Sequence, residues 1–243
     1  MRIPIILFSF CLPALFSLLI IPINGFSQLS YHSNEPVFNL QSELYVSNIA
    51  YKLPFRGENY KFYGTLSYHI YGKAYASCDV HNAIVEAFNL CDRSECDAKF
   101  KILKSSRRKN GKLLPLHSKK NGRYTDFMTP LLKNGEPIKA YYRTGLFRFF
   151  TYYNTDGVLK SNDKVEIDFE NMALFIINLD NASEMYGLRI KKIIFNRFLL
   201  DELFSTSLGE ELKSRDIYFA KFLSDKVNRK YDDIFYVEFA DKY

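Results

Sequence analysis

Two apolar stripes at helical spacing, set among short runs that alternate polar and apolar residues, leave this chain few architectures. Val80, Ala83, Ile84, Ala87, Phe88 and Cys91 recur at the three- and four-residue steps of one helix face, and Asp79 stands where such a helix would be capped. Met172, Phe175, Ile176 and Leu179 form a second stripe, with Asp168 placed to cap its start and Gly187 to end it. A helix with one apolar stripe has to bury it against another layer. That layer reads as a sheet, from strand-like runs at Tyr60-Lys-Phe-Tyr-Gly, Ala140-Tyr-Tyr-Arg-Thr, Phe147-Arg-Phe-Phe-Thr-Tyr-Tyr, Leu188–Phe195 and Ile234–Phe239. A third helix is expected over Ile217–Lys230, on Ile217, Ala220, Phe222, Leu223 and Val227. The order predicts an α+β fold: a central, mainly antiparallel sheet with helices packed on it.

The chain has no Trp beside 22 Phe and 18 Tyr, so its core must be built from those two aromatics. Residues 2–22 are almost wholly apolar, and after Arg2 no Lys, Arg, Asp or Glu occurs before Glu35. This is the pattern of a secretory signal, with Asn24–Gln28 marking the cleavage region. A retained membrane anchor is the alternative, and Pro4, Pro13 and Pro22 argue against a continuous spanning helix. The expected division is a signal peptide over 1–28 and one domain over 29–243, exported to the periplasm or the exterior. Membrane contact is then through the signal segment alone, and nucleic acid is not a partner. Cys78, Cys91 and Cys96 remain after cleavage; Cys91 and Cys96 are spaced to close a short loop, and an odd count leaves one thiol over.

From Lys99 to Arg123 the chain carries ten basic residues and no acidic one. Two interpretations stand: a patch for an anionic partner, or a solvated hairpin around Asn110-Gly111. The adjacent acids Asp232-Asp233 and Glu210-Glu211 read as solvated charge. No Gly-rich phosphate loop and no Gly-x-Ser-x-Gly elbow occurs.

The stretch Pro115-Leu-His-Ser-Lys-Lys-Asn-Gly-Arg-Tyr-Thr-Asp-Phe-Met-Thr-Pro130 and the segment Asp233-Ile-Phe-Tyr-Val-Glu-Phe239 resemble two metal-site motifs of one family. These are the penicillin-insensitive murein endopeptidases, zinc peptidases of the lysostaphin, D-Ala-D-Ala carboxypeptidase and hedgehog group. Asn121, Gly122, Arg123, Asp126, Phe127 and Met128 match the first motif; Gly72-Lys-Ala-Tyr, Ile167-Asp-Phe-Glu-Asn-Met-Ala and Gly187-Leu-Arg-Ile-Lys-Lys-Ile-Ile resemble further family segments in the right order. The resemblance covers roughly residues 60–240 and implies a hedgehog/DD-peptidase-like fold.

It also exposes what has changed. Lys119 stands at the first zinc-ligand position, Tyr236 at the third, and Ile234 where the family has its catalytic His; of the ligands only Asp126 survives. Catalytic zinc takes three protein ligands and keeps one position open, and an ammonium or a phenol is a poor substitute for an imidazole. The resemblance therefore implies a pseudoenzyme without catalytic residues or cofactor. Its remnant groove would hold peptidoglycan or another anionic extracytoplasmic ligand through Arg123, Asp126, Tyr236 and Glu238. Lys119 would supply an ammonium beside Asp126 in place of the metal, and the Tyr236 phenol would fill the vacated space. One alternative is an active zinc peptidase rebuilt on His117 and Asp126 with a further donor such as His81 or Glu238. Another is an exported structural or interaction protein whose groove has no ligand.

Overall fold

The computed structural model describes residues 50–64, 68–94, 96–109, 112–114, 122–138 and 151–242. Strands β1 (Tyr51–Lys52), β2 (Tyr60–Phe62) and β3 (Tyr75–Ala76) lead into helix α1 (Cys78–Arg93). Strands β4 (Phe100–Lys104), β5 (Arg107–Lys109), β6 (Lys112–Leu114), β7 (Tyr124–Met128), β8 (Leu131–Lys133), β9 (Glu136–Pro137) and β10 (Val165–Ile167) precede helix α2 (Phe169–Met185). Strand β11 (Leu188–Ile194), the short helices α3 (Leu200–Ser205), α4 (Ser207–Ser214) and α5 (Asp225–Asn228), and strand β12 (Ile234–Asp241) follow.

Five strands form the main sheet in the order β11-β12-β7-β4-β2, antiparallel at every pairing except the parallel β4–β2 edge. Smaller sheets pair β1 with β3, β5 with β6, and β8 with both β9 and β10. The α+β class with a mainly antiparallel sheet is thus what the structure has.

Both long helices form where their stripes predict. The Asp168 carboxylate accepts from the Asn171 backbone N–H at 3.0 Å and starts α2. Just past the end of α2, Gly187 turns the chain with φ 69°, a conformation that glycine adopts at little cost. The cap of α1 is Ser77 and not Asp79, which sits in the first turn, where its charge favours the positive end of the helix dipole. Along α1 the whole stripe from Val80 to Cys91 is buried, as is the stripe of α2, and the two helices pack against each other.

Their shared face meets the sheet through phenylalanines. Phe175 of α2 has its ring centroid 4.9 Å from that of Phe88, 4.6 Å from Phe100 and 5.0 Å from Phe127, and Phe127 stacks on Phe235 at 5.4 Å. All five rings are at most 1 % exposed. Buried aromatic pairs at these separations add roughly 0.5–1.5 kcal/mol each beyond the area they remove from water.

The helix expected over Ile217–Lys230 is reduced to one turn, Asp225–Asn228, with a 3-10 turn after it. Residues 217–220 instead run alongside β11: Ile193 N–H donates to the Tyr218 carbonyl, and Ala220 N–H donates to the Ile193 carbonyl, both at 2.9 Å. Phe219 is therefore buried, whereas Phe222, assigned to an apolar stripe, is 95 % exposed. The edge of β11 offered backbone partners that outweighed a weak helical pattern. A hairpin does flank Asn110-Gly111, since β5 and β6 pair with Lys109 opposite Lys112. The strand expectation at 140–144 lies outside the described residues, as do residues 147–150 of the one at 147–153; its described residues 151–153 form no strand, only an isolated bridge from Tyr153 to Leu159. A turn follows at Asn154–Gly157, with Asn154 Oδ1 accepting from the Val158 N–H at 2.8 Å.

Lys101 on β4 is only 5 % exposed, lies beside Lys61 of β2, and holds its ammonium 5.4 Å from the centre of the Tyr63 ring. Burial, reinforced by the Lys61 charge, brings its pKa down from 10.5 to about 8. Between those two values the unfolded chain binds more protons than the folded one, so this lysine makes stability rise with pH across that window. Lys101→Met is expected to raise the unfolding midpoint at pH 7, by on the order of 1–2 kcal/mol in stability, and to flatten the rise above pH 8. Denaturant titrations of both proteins from pH 7 to 10.5 check this; a variant less stable at pH 7 with an unchanged slope contradicts it.

Candidate functional site

Strand alternation sends Phe127 and Phe235 into the helix layer and turns their neighbours to the other face of the sheet. On that face the β7–β12 register sets Asp126 opposite Tyr236, and the β7–β4 register sets Asp126 opposite Lys104. The Lys104 placement depends on an irregularity: the register of β4 shifts between Ile102 and Lys104. In an unbroken register Leu103 would face Asp126 and Lys104 would share the core face of Ile102.

The Asp126 side chain is 2 % exposed, and its Oδ2 accepts an ion-paired hydrogen bond from Lys104 Nζ at 3.0 Å. Among the described residues its buried Oδ1 has no hydrogen-bond partner. A buried carboxylate oxygen left in that state is costly, so it marks a position where a donor from outside the chain is favoured. A cleft of about 440 Å³ opens at this point, with Lys104, Arg229, Lys230, Tyr152 and Tyr231 around Asp126. The Tyr231 phenol is pushed up to about 12, by burial and then by the Asp126 charge, so it stays a hydrogen-bond donor at neutral pH. A second depression of about 410 Å³ shares Tyr152 and Arg229 with the first and reaches Lys160, Phe198 and Asp232.

Of the motif positions singled out in the sequence, Asp126 and Ile234 line the cleft among the described residues. Tyr236 shares its face, but its ring stacks on Tyr124 at 5.9 Å and its hydroxyl lies 3.4 Å from Glu238 Oε2. Burial, followed by the Glu238 and Asp126 charges, drives that phenol far above its usual pKa. Glu238 is held by Lys191 at 2.9 Å and Lys192 at 3.0 Å, and these bonds outweigh its burial and keep its carboxyl below the usual value. Arg123 is engaged with Asp241 at 2.7 Å. His117, Lys119 and Asn121 lie outside the described residues, while Gly122 takes φ 76°, which supports a turn role for it. The described cation at Asp126 is therefore Lys104. The acids Asp232 and Asp233 are 7 % and 8 % exposed, so they are not the solvated pair expected: Asp232 Oδ1 accepts from Asn196 Nδ2 at 2.8 Å, and Asn196 in turn accepts from Asn228.

These residues do not fit a catalytic zinc. Asp126 already holds an ammonium, Tyr236 is turned to Glu238, and Glu238 is bound by two lysines. His81 sits on α1, on the far side of the sheet, with Nδ1 3.0 Å from Asn82 Oδ1. Among the described residues no three His, Cys, Asp or Glu side chains group as metal ligands. What the arrangement offers is binding: one buried acceptor ringed by cations and protonated phenols. A scan against protein-family models and a search of curated proteins found no match to this chain.

Two outcomes are expected. Lys104→Met should cost on the order of 1–3 kcal/mol at pH 7, because it strands a buried carboxylate, and Asp126→Leu in the same chain should recover part of that. Urea unfolding of the two single variants and the double variant measures the coupling; a cost below about 0.5 kcal/mol would put the pair among ordinary surface contacts. For Asp232, burial first and the Asp233 charge next raise the carboxyl from 3.8 to about 6 against the Asn196 hydrogen bond. The folded state binds the extra proton between those values, so stability falls as pH rises through them. Asp232→Asn should remove that fall and leave the protein more stable than wild type at pH 7; a fall between pH 4 and 6 that persists in the variant counts against it.

Proposed function

We propose that this chain is an exported, non-catalytic relative of the penicillin-insensitive murein endopeptidases, with their hedgehog/DD-peptidase-like fold, and that it binds peptidoglycan peptide without cutting it. One observation carries the binding part: the buried Asp126 Oδ1, without a partner among the described residues, at the floor of a cleft rimmed by Lys104, Arg229 and Lys230. A peptidoglycan stem peptide carries amino or amide donors beside free carboxylates. The donors suit Asp126 and the protonated Tyr231, and the carboxylates suit the cationic rim. The non-catalytic part rests on the sequence: Ile234 stands at the family's catalytic histidine and Tyr236 at a ligand position. The surviving ligand Asp126 has its charge matched by Lys104, which makes it a weak base or nucleophile.

Co-sedimentation with purified peptidoglycan sacculi tests the proposal. The mature protein should pellet with sacculi, and Arg229→Ala, an exposed substitution that leaves the core intact, should weaken binding several-fold. Asp126→Ala should weaken it by about tenfold, the equivalent of about 1.4 kcal/mol. Absence of pelleting by the wild-type protein, or binding equal in both variants, removes the peptidoglycan assignment. Elemental analysis after metal loading should find no stoichiometric zinc; one zinc per chain, lost in His117→Ala, would replace the proposal with a rebuilt peptidase.

A further inference from the structure

We propose that Cys91 and Cys96 are a redox site, a dithiol that an external disulfide converts to an intramolecular disulfide, and that Cys78 stands outside it. The three cysteines among the described residues are free thiols. Cys91 lies in the last turn of α1 and is fully buried; Cys96 follows on the loop to β4 and is 8 % exposed. The Cys96 N–H donates to the Cys91 carbonyl at 3.1 Å, which ties Cys96 to the end of the helix. Each thiol perturbs the titration of the other. A disulfide asks for Cα atoms roughly 4.4–6.8 Å apart with side chains that point together, and a direct backbone bond between the two residues brings them within that reach.

The surroundings assign unequal roles. The neighbouring Cys91 thiol favours a thiolate at Cys96; burial opposes this, the Ala98 backbone adds to it, and the net effect holds Cys96 below its usual pKa. Cys96 in turn, with burial, pushes the Cys91 thiol up. Cys96, the less buried of the two, is thus the attacking sulfur. Its thiolate attacks one sulfur of a small disulfide such as oxidised glutathione, forming a mixed disulfide and releasing one thiolate. Cys91 then gives its proton to solvent and attacks Cys96 Sγ, and the second glutathione leaves. Two protein thiols are oxidised and one disulfide is reduced to two thiols; the two protons that leave Cys96 and Cys91 end on the two released glutathione thiolates, so none is released net. Asn178 of α2 donates to Cys91 Sγ at 3.4 Å and holds that sulfur in place. Cys78 is at the opposite end of α1, thirteen residues away, or about 20 Å at 1.5 Å per residue, too far for either partner.

The experiment treats the native full-length protein with oxidised glutathione, blocks remaining thiols in denaturant, and maps the peptides. Cys91 and Cys96 should appear linked, with Cys78 blocked, and dithiothreitol should reverse the link. The oxidised form should melt a few degrees higher than the reduced form, and Cys96→Ser should abolish both the link and the shift. Cys78→Ser should retain them, which guards against loss through misfolding. Free Cys91 and Cys96 thiols after treatment of the native protein, a stable glutathione adduct on Cys96, or a link that forms only in denaturant each overturns the proposal.

Discussion

The layered order of this molecule depends on one aromatic cluster. Phe175 projects from α2 into rings supplied by α1, β4 and β7, and Phe235 of β12 extends the stack through Phe127. Because one ring comes from each of five elements, the cluster fixes both which helices cover the sheet and which strands lie at its centre. It also fixes which side chains do not enter the core. In a strand of period two, burying Phe127 and Phe235 compels Asp126 and Tyr236 to the opposite face, and a slip of one residue would drive a carboxylate among phenylalanines. The polar face is therefore a consequence of the apolar one.

On that polar face charge is matched locally. Lys104 answers Asp126, Lys191 and Lys192 answer Glu238, and Arg123 answers Asp241. Three cations of the basic run are likewise engaged: Lys104 and Arg123 are ion-paired, and Lys99 donates to the Glu58 carbonyl. What distinguishes Asp126 from the other acids is that only half of its accepting capacity is met by the described residues, at a point where Arg229 and Lys230 stand exposed. Complementarity of this kind favours a small ligand with both signs of charge over a long polyanion.

Legibility in the sequence followed the strength of local signals. Helix α2 was readable because its stripe, its Asp168 cap and its Gly187 stop agree with one another. The segment after Ile217 was misread because helical spacing alone, without a cap or a stop, competes poorly with an open strand edge. Asp126 stood out through its motif context, and Tyr236 through its alternation with Phe235 and Val237. Lys104, Tyr231 and Arg229 did not stand out: the first is moved to its place by a register shift, and the others come to Asp126 from a distant turn. Asp232 and Asp233 were assigned to solvent because adjacency in sequence does not reveal that Asn196, thirty-six residues away, satisfies one of them.

The register shift in β4 makes the ion pair a matter of backbone geometry. If β4 kept one unbroken register past Ile102, Leu103 would stand opposite Asp126 and Lys104 would turn toward the core. A strand relaxed into that register would bury one charge among apolar side chains and strand another, so the pair latches the irregularity in place and the irregularity keeps the pair together.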